Sequence, residues 1–209
     1  FDENGVPIAE QRFLGLYTST AYTRRPWEIP LIRKKVEEVV ARSQIKGDSH
    51  SGKALMHILE TLPRDELFQC TATELFELAF GILQLQERQR TKLFMRRDRY
   101  GRFFSCLVFI PRDRFNTEVR ERIIKVLKAA LGDGRADYHV QIDESLMARL
   151  HVVVRPSPGT ALDPDVKAIE AELALAVRSW HDDLKDALLA TDGEDLGLRL
   201  YQKYGRVLP

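Results

Sequence analysis

The chain has 209 residues, 44% of them apolar and 30% charged, room for one large or two small domains with a real core and a composition that excludes collagen-like, disordered and low-complexity classes. Lys and Arg number 32 against 31 Asp and Glu, a net +1, so gross charge selects neither nucleic acid nor a membrane surface as partner. Cys70 and Cys106 lie far apart with no CxxC spacing, which excludes a disulfide framework or zinc ribbon, suits a reducing cytosol and reads as two buried small hydrophobes.

Taken in chain order, the aromatic and hydroxyl residues around Phe13-Leu14-Gly15-Leu16-Tyr17-Thr18 predict a strand over about 11–18 whose partners lie outside the chain. Pro30 suits the first turn of a helix carrying Ile32, Val36, Val39 and Val40 at helical spacing. Ser51 is the expected cap of a second helix, with Leu55, Ile58, Leu59 and Leu62 on its apolar face and Pro63 as its stop. Thr71-Ala72-Thr73-Glu74 is a capping box opening a third helix, predicted to run through Leu75, Leu78, Ala79, Ile82 and Leu83 to about Arg90.

The period then changes. Lys92–Asp98, a turn at Arg99-Tyr100-Gly101, and Arg102–Ile110 predict a hairpin. Its second arm is apolar on both faces and so is expected to be a covered central strand. Asn116 caps a helix with Val119, Ile123, Val126, Leu127 and Leu131 on one face, stopped by Gly132 and Gly134. Two alternating runs, Tyr138-Val140-Ile142 and Leu146 through Val154, predict an antiparallel pair around Asp143-Glu144-Ser145. Beyond the break at Pro156–Gly159, Asp163 and Pro164 open what reads as one long helix with a stripe from Val166 to Leu188, about six turns. The expected fold class is α+β: a ferredoxin-like antiparallel sheet with the 117–131 helix, and the 164–190 helix, on one face, plus flanking helical segments.

Short motifs point away from chemistry. Gly47-Asp48-Ser49-His50-Ser51-Gly52-Lys53-Ala54 misses a phosphate-binding loop at Ala54, which has no hydroxyl for magnesium, and follows a helix rather than a strand. Gly132-Asp133-Gly134 starts a dinucleotide fingerprint, but Asp137 replaces its last glycine and the order of helix and strand is reversed. Tyr100–Phe109 echoes the aromatic strand of an RNA-binding module, and residues 88–102 hold seven basic residues (Arg88, Arg90, Lys92, Arg96, Arg97, Arg99, Arg102) against Asp98. Residues 163–195 balance them with ten acids against three bases, so the two patches suit each other or a neighbouring subunit.

His50, His57, His139, His151 and His181 form no metal-ligand spacing, His151 shares a polar strand face with Arg149 and Arg155, and His181-Asp182-Asp183 reads as an exposed helical turn. No Ser or Cys is paired with a base, so no catalytic, cofactor-binding or metal residue is expected. No apolar run has the roughly 18 residues of a membrane span and no signal peptide opens the chain, so a cytoplasmic protein is expected. A chain opening at Phe1, with methionines only at 56, 95 and 147, reads as processed or cut from something longer.

The blocks Phe13–Tyr22, Ile29–Lys35, His50–Ala54 and Ile58–Phe68 resemble the regulatory region of the large bacterial NAD-specific glutamate dehydrogenases, as do Arg97–Ser105, Ile110–Asn116 and Ala148–His151. The resemblance implies a parent that oxidises L-glutamate to 2-oxoglutarate and ammonia with NAD on a catalytic domain elsewhere, and no catalytic residue is carried over. It implies an ACT-like module over 91–156, between a helical segment over 25–90 and a long helix and tail over 157–209, with 1–24 as the strand-bearing end of a preceding module. Implied partners are the parent's other domains, further copies in a homo-oligomer and a small amino-acid effector, with no nucleic acid and no membrane. Arg97, Arg99, Arg112 and Arg114 flank the hairpin and the strand-to-helix turn, where forked guanidinium groups suit a carboxylate or an interface; salt bridges to the acidic 163–195 stretch or to absent domains are the weightier reading. The alternative function is a stand-alone ferredoxin-like module that reads RNA or another anion through 88–102.

Overall fold

A computed structural model describes residues 8–9, 15–85, 89–143, 145–157 and 163–205. The chain divides into two compact units, 1–80 and 81–209.

The first unit is helical. A single turn, α1 (Thr20–Thr23), and a 3-10 turn at Pro26–Glu28 lead to α2 (Ile32–Ser43), α3 (His50–Thr61), α4 (Arg64–Gln69) and α5 (Ala72–Leu85), the unit boundary falling within α5. Of the strand expected over 11–18, residues 11–14 lie outside the described residues, and 15–18 form no strand but lead into the single turn α1. Helix α2 starts at Ile32, two residues beyond Pro30, with Leu31 at φ 70° as its cap. Helix α3 is capped by Ser49, whose hydroxyl accepts from Gly52 N at 3.0 Å, and not by Ser51, which is already inside the first turn. The capping box of α5 forms: Thr71 N donates to Glu74 Oε2 at 2.7 Å and Glu74 N to Thr71 Oγ1 at 3.2 Å. Helix α5 is described over Ala72–Leu85, residues 86–88 of its expected run lie outside the described residues, and residues 89–90 are not helical. Helix α4, unexpected from periodicity because it has six residues, ends on the Lys35 ammonium, which donates to the carbonyls of Leu67, Phe68 and Cys70 at 3.0, 2.8 and 2.6 Å. One cation there satisfies three carbonyls at a helix C-terminus.

The second unit is the α+β module. Strands β1 (Lys92–Arg97), β2 (Phe104–Pro111), β3 (Arg135–Gln141) and β4 (Met147–Arg155) form one antiparallel sheet in the order β1-β2-β4-β3. Helix α6 (Thr117–Leu131) links β2 to β3, and α7 (Val166–Ala176) follows β4. Strand, helix, two strands and helix follow the βαββα order of a split βαβ sandwich, with β1 ahead of them as its sixth element. The fold is ACT-like, with α6 and α7 packed on one face.

Every residue of β2 is buried, as expected of a central strand. Phe104, Cys106, Val108 and Ile110 alternate toward the helices and meet Leu150, Val152 and Val154 of β4, with Val119, Ile123, Leu127 and Leu131 of α6 and Ile169 and Leu173 of α7 above them. Asn116 caps α6, its Oδ1 accepting from Val119 N at 2.9 Å. The half-motif Gly132-Asp133-Gly134 is backbone engineering: Gly132 leaves the helix at φ 92°, and a Cβ on Gly134 would fall 1.7 Å from the Arg155 carbonyl oxygen.

The single long helix expected after Pro164 is two. Helix α7 is capped by Asp165, not Asp163, and ends at Ala176; α8 (Trp180–Tyr204) starts with its own capping box between Ser179 and Asp182. The stripe of apolar residues runs on through the break, which is why periodicity alone does not see it. Gly193, at φ 77° and ψ 175°, breaks α8 again. No helix among the described residues is long and apolar enough to cross a membrane.

Candidate functional site

Strand β2 separates the four sequence-predicted arginines. Arg97 pairs across from Phe104 at one end of β2, with Arg99 in the hairpin turn beyond it, whereas Arg112 and Arg114 follow Pro111 at the other end. At about 3.3 Å per residue the two ends lie roughly 23 Å apart, so the four guanidinium groups do not converge on one ligand.

At the hairpin end the organising residue is Asp98, one of the few buried acids. Its Oδ2 accepts from Arg102 Nε at 2.8 Å and from the backbone N–H groups of Tyr100 and Arg102 at 3.1 and 3.2 Å, and its Oδ1 from Arg102 Nη2 at 3.0 Å. The Arg102 side chain, ahead of those backbone donors, holds the Asp98 carboxyl down at about 2. Arg102 also lies over the Tyr100 ring at 5.2 Å. Of the basic stretch 88–102, Arg102 is therefore committed to Asp98 and Lys92 to Glu170, and Arg88 lies outside the described residues.

At the other end Arg112 Nη1 donates to the Asp143 carbonyl at 2.9 Å. Arg114 grips Asp182 of α8 with both Nη atoms, at 3.0 and 3.3 Å, beside Arg178, Lys185 and Asp186. Asp182 is held below the usual carboxylate range by its Ser179 hydrogen bonds first and by Arg114 and Arg178 after them. With Asp183 on Arg178 as well, the His181-Asp182-Asp183 turn is spent on structure, and no group of metal-ligating side chains occurs among the described residues.

The sheet face opposite the helices mixes polar with apolar side chains, Leu107 and Phe109 sharing it with Ser105, Arg149 and His151. Ser105 Oγ lies 2.8 Å from His151 Nε2, and His139 sits directly across from His151 on β3. Arg149 hydrogen-bonds Gln141 across the same strand pair, and burial pulls its guanidinium down to about 10 against the opposing charge of Asp143. Strand alternation placed His151, Arg149 and Arg155 on one face; the Ser105 and His139 pairings needed the register, which the sequence leaves open.

The two sheet edges differ. On β1, Glu170 of α7 accepts the Leu93 backbone N–H at 3.1 Å and pairs with Lys92 at 2.8 Å, so a side chain occupies that edge. On β3, no strand lies outside among the described residues, Tyr138 and His139 are exposed, and Ile142 and Leu146 continue the apolar surface at 50% and 61% exposure. Nothing in the sequence marks Glu170 as an edge cap, since it is 77 residues from Leu93.

Residues 92–181 match the family model described as "Glutamate dehydrogenase, ACT2 domain", and residues 29–88 the one described as "Glutamate dehydrogenase, helical motif 1". Among curated proteins, the chain is 38% identical over its whole length to the NAD-specific glutamate dehydrogenase of Halomonas elongata and 39% identical to that of Pseudomonas aeruginosa. Over 88% of its length it is 35% identical to that of Mycobacterium tuberculosis. It spans only 13%, 13% and 12% of those relatives. No solved structure gives a significant match. Helical unit and sheet module thus each meet their own family model, and the chain belongs to the NAD-specific glutamate dehydrogenase family, in the part that carries helical motif 1 and the ACT2 domain.

Proposed function

We propose that this chain is a non-catalytic regulatory and assembly segment of a large, cytoplasmic, homo-oligomeric glutamate dehydrogenase. The parent enzyme oxidises L-glutamate with NAD to 2-oxoglutarate and ammonia, and NAD sits in the parent's catalytic part. The observation that carries the reading is the inequality of the two sheet edges. A strand edge with free backbone groups is a template for another strand, and here Glu170 caps one edge while no strand pairs outside β3 among the described residues, where Tyr138 lies beneath Arg120 and the exposed Ile142 and Leu146 follow. Sheet extension at β3 joins the module to another domain or copy, with Arg97, Arg99, Arg112 and Arg114 as contacts at the two ends. A small amino-acid effector that favours one joined arrangement shifts the assembly by its differential affinity for the two states.

The test is Tyr138→Lys in the parent enzyme, which places an ammonium on the open edge. Sedimentation is expected to show smaller species with unchanged secondary structure, and an unaltered assembly state overturns the edge reading. The isolated chain is expected to turn over no glutamate, and measurable turnover refutes the non-catalytic assignment. The RNA reading is weakened because two of the seven basic residues it relies on, Lys92 and Arg102, are already paired with half-buried and buried carboxylates.

A further inference from the structure

The helical unit holds a hollow of about 270 Å³, open to solvent on one side, that none of the family resemblances assigns. Its wall is the segment between Leu16 and Pro30, and that wall is built rather than loose. The Tyr17 ring packs on Phe68 with centroids 4.1 Å apart and a 36° tilt, Tyr22 donates from its hydroxyl to Asp65 at 3.1 Å, and Arg64 Nη2 donates to the Arg24 carbonyl at 2.9 Å. Three tethers therefore pin the segment to α4. Within it, Ala21 N reaches Thr18 O, Arg24 N reaches Thr20 O and Ile29 N reaches Pro26 O, so each turn closes its own backbone bonds.

The cavity floor is apolar, with Ala21 and Ile29 buried and Pro30 beside them. Two opposite charges stand on its rim, Arg24 and Glu28. They line one cavity yet form no ion pair with each other, and neither side chain has an ion-pair partner among the described residues. The hydroxyls of Thr18 and Thr20 line the same space. At about 30 Å³ per water the cavity takes roughly nine waters, or a solute of about six to nine non-hydrogen atoms.

One cation and one anion, held apart over an apolar floor, match a molecule that carries both charges at one end and a short apolar group at the other. We infer that this cavity binds a small zwitterionic α-amino acid, its carboxylate on Arg24, its ammonium on Glu28 and its side chain over Ile29 and Pro30. The site belongs to the helical unit and does not rest on the edge reading; Tyr138→Lys is expected to leave it intact.

Titration calorimetry of the 209-residue chain with each of the twenty L-amino acids, up to about 10 mM, tests the inference. At least one amino acid with a short side chain is expected to bind saturably. Its decarboxylated amine and its deaminated acid are each expected to bind about tenfold more weakly or worse, since each lacks one charge-assisted contact. Arg24→Gln and Glu28→Gln are expected to weaken it equally, with unchanged circular dichroism because both side chains are exposed. Silence across all twenty overturns the site. So does a deaminated acid that binds as tightly as its parent, which marks a simple anion site, or full affinity in both variants. The analogue series defines which charges the ligand needs, and the two variants place the binding at Arg24 and Glu28 rather than on the sheet module.

Discussion

Helices α6 and α8 belong to the same unit, yet they live in opposite surroundings. In 15 residues α6 buries Val119, Ile123, Leu127 and Leu131; in 25 residues α8 buries only Gly197. Trp180, Leu196 and Tyr204 of α8 are nearly half exposed. The difference is one of available surface. Four strands about 4.8 Å apart make a face that two helices of about 10 Å diameter already cover. Helix α6 is the crossover between β2 and β3 and must lie on that face, α7 takes the remaining half, and α8 arrives when the sheet is full. An apolar stripe therefore reports a helix that needs cover, not one that has it.

Core truncation is the sharpest way to break the comparison. Leu127→Ala is expected to cost about 2–5 kcal/mol of unfolding free energy in urea, through lost transfer energy and a cavity beneath α6. Leu188→Ala, half-buried on α8, is expected to cost less than about 1 kcal/mol. Equal losses mean that α8 is part of the same cooperative core.

Next in size is the hairpin latch. Asp98→Asn leaves the hairpin turn's donors facing a neutral group and is expected to cost about 1.5–3 kcal/mol. The carboxyl's folded value of about 2 lies below its ordinary 3.8, so its stabilisation is fully present above pH 3.8 and is lost as pH falls through 2. Acid titration of stability is expected to flatten in that window in the Asn variant; an unchanged slope assigns the acid sensitivity to other carboxylates.

The smallest effects sharpen the contrast at the helix ends. Asn116→Ala, at the cap of α6, is expected to lower global stability by about 1 kcal/mol. Ser179→Ala removes the corresponding cap of α8 and is expected to cost helicity near 222 nm with little change in the urea midpoint, because the frayed turn buries no side chain. Arg114→Ala, which cuts the tie from the sheet module to Asp182, is expected to cost no more than about 1 kcal/mol and to matter less in high salt.

Much of this was legible beforehand where the determinants are local. The Thr71 box, the Asn116 cap, the alternation in β4 and the doubly apolar β2 each follow from residues within a few positions of one another, whereas β3 ends at Gln141 with Tyr138 exposed and Ile142 outside it. The misses are of two kinds, a choice between neighbouring caps and a placement that a segment distant in sequence decides. Ser49 rather than Ser51 caps α3, α7 and α8 part at Val177–Ser179 although the stripe continues, and the four candidate arginines separate because β2 lies between the pairs.

By itself, then, the sequence determined the element types, the central place of β2, the ACT-like order of strands and helices and the family. Its signals are periodicity, caps and turns, all written within one or two helical turns of chain. Only the tertiary structure decided which edge is stoppered, which helix has cover, and that Arg24 and Glu28 face one cavity. Those outcomes depend on where chain segments 40 or more residues apart come to rest, and on how much apolar face remains when each arrives.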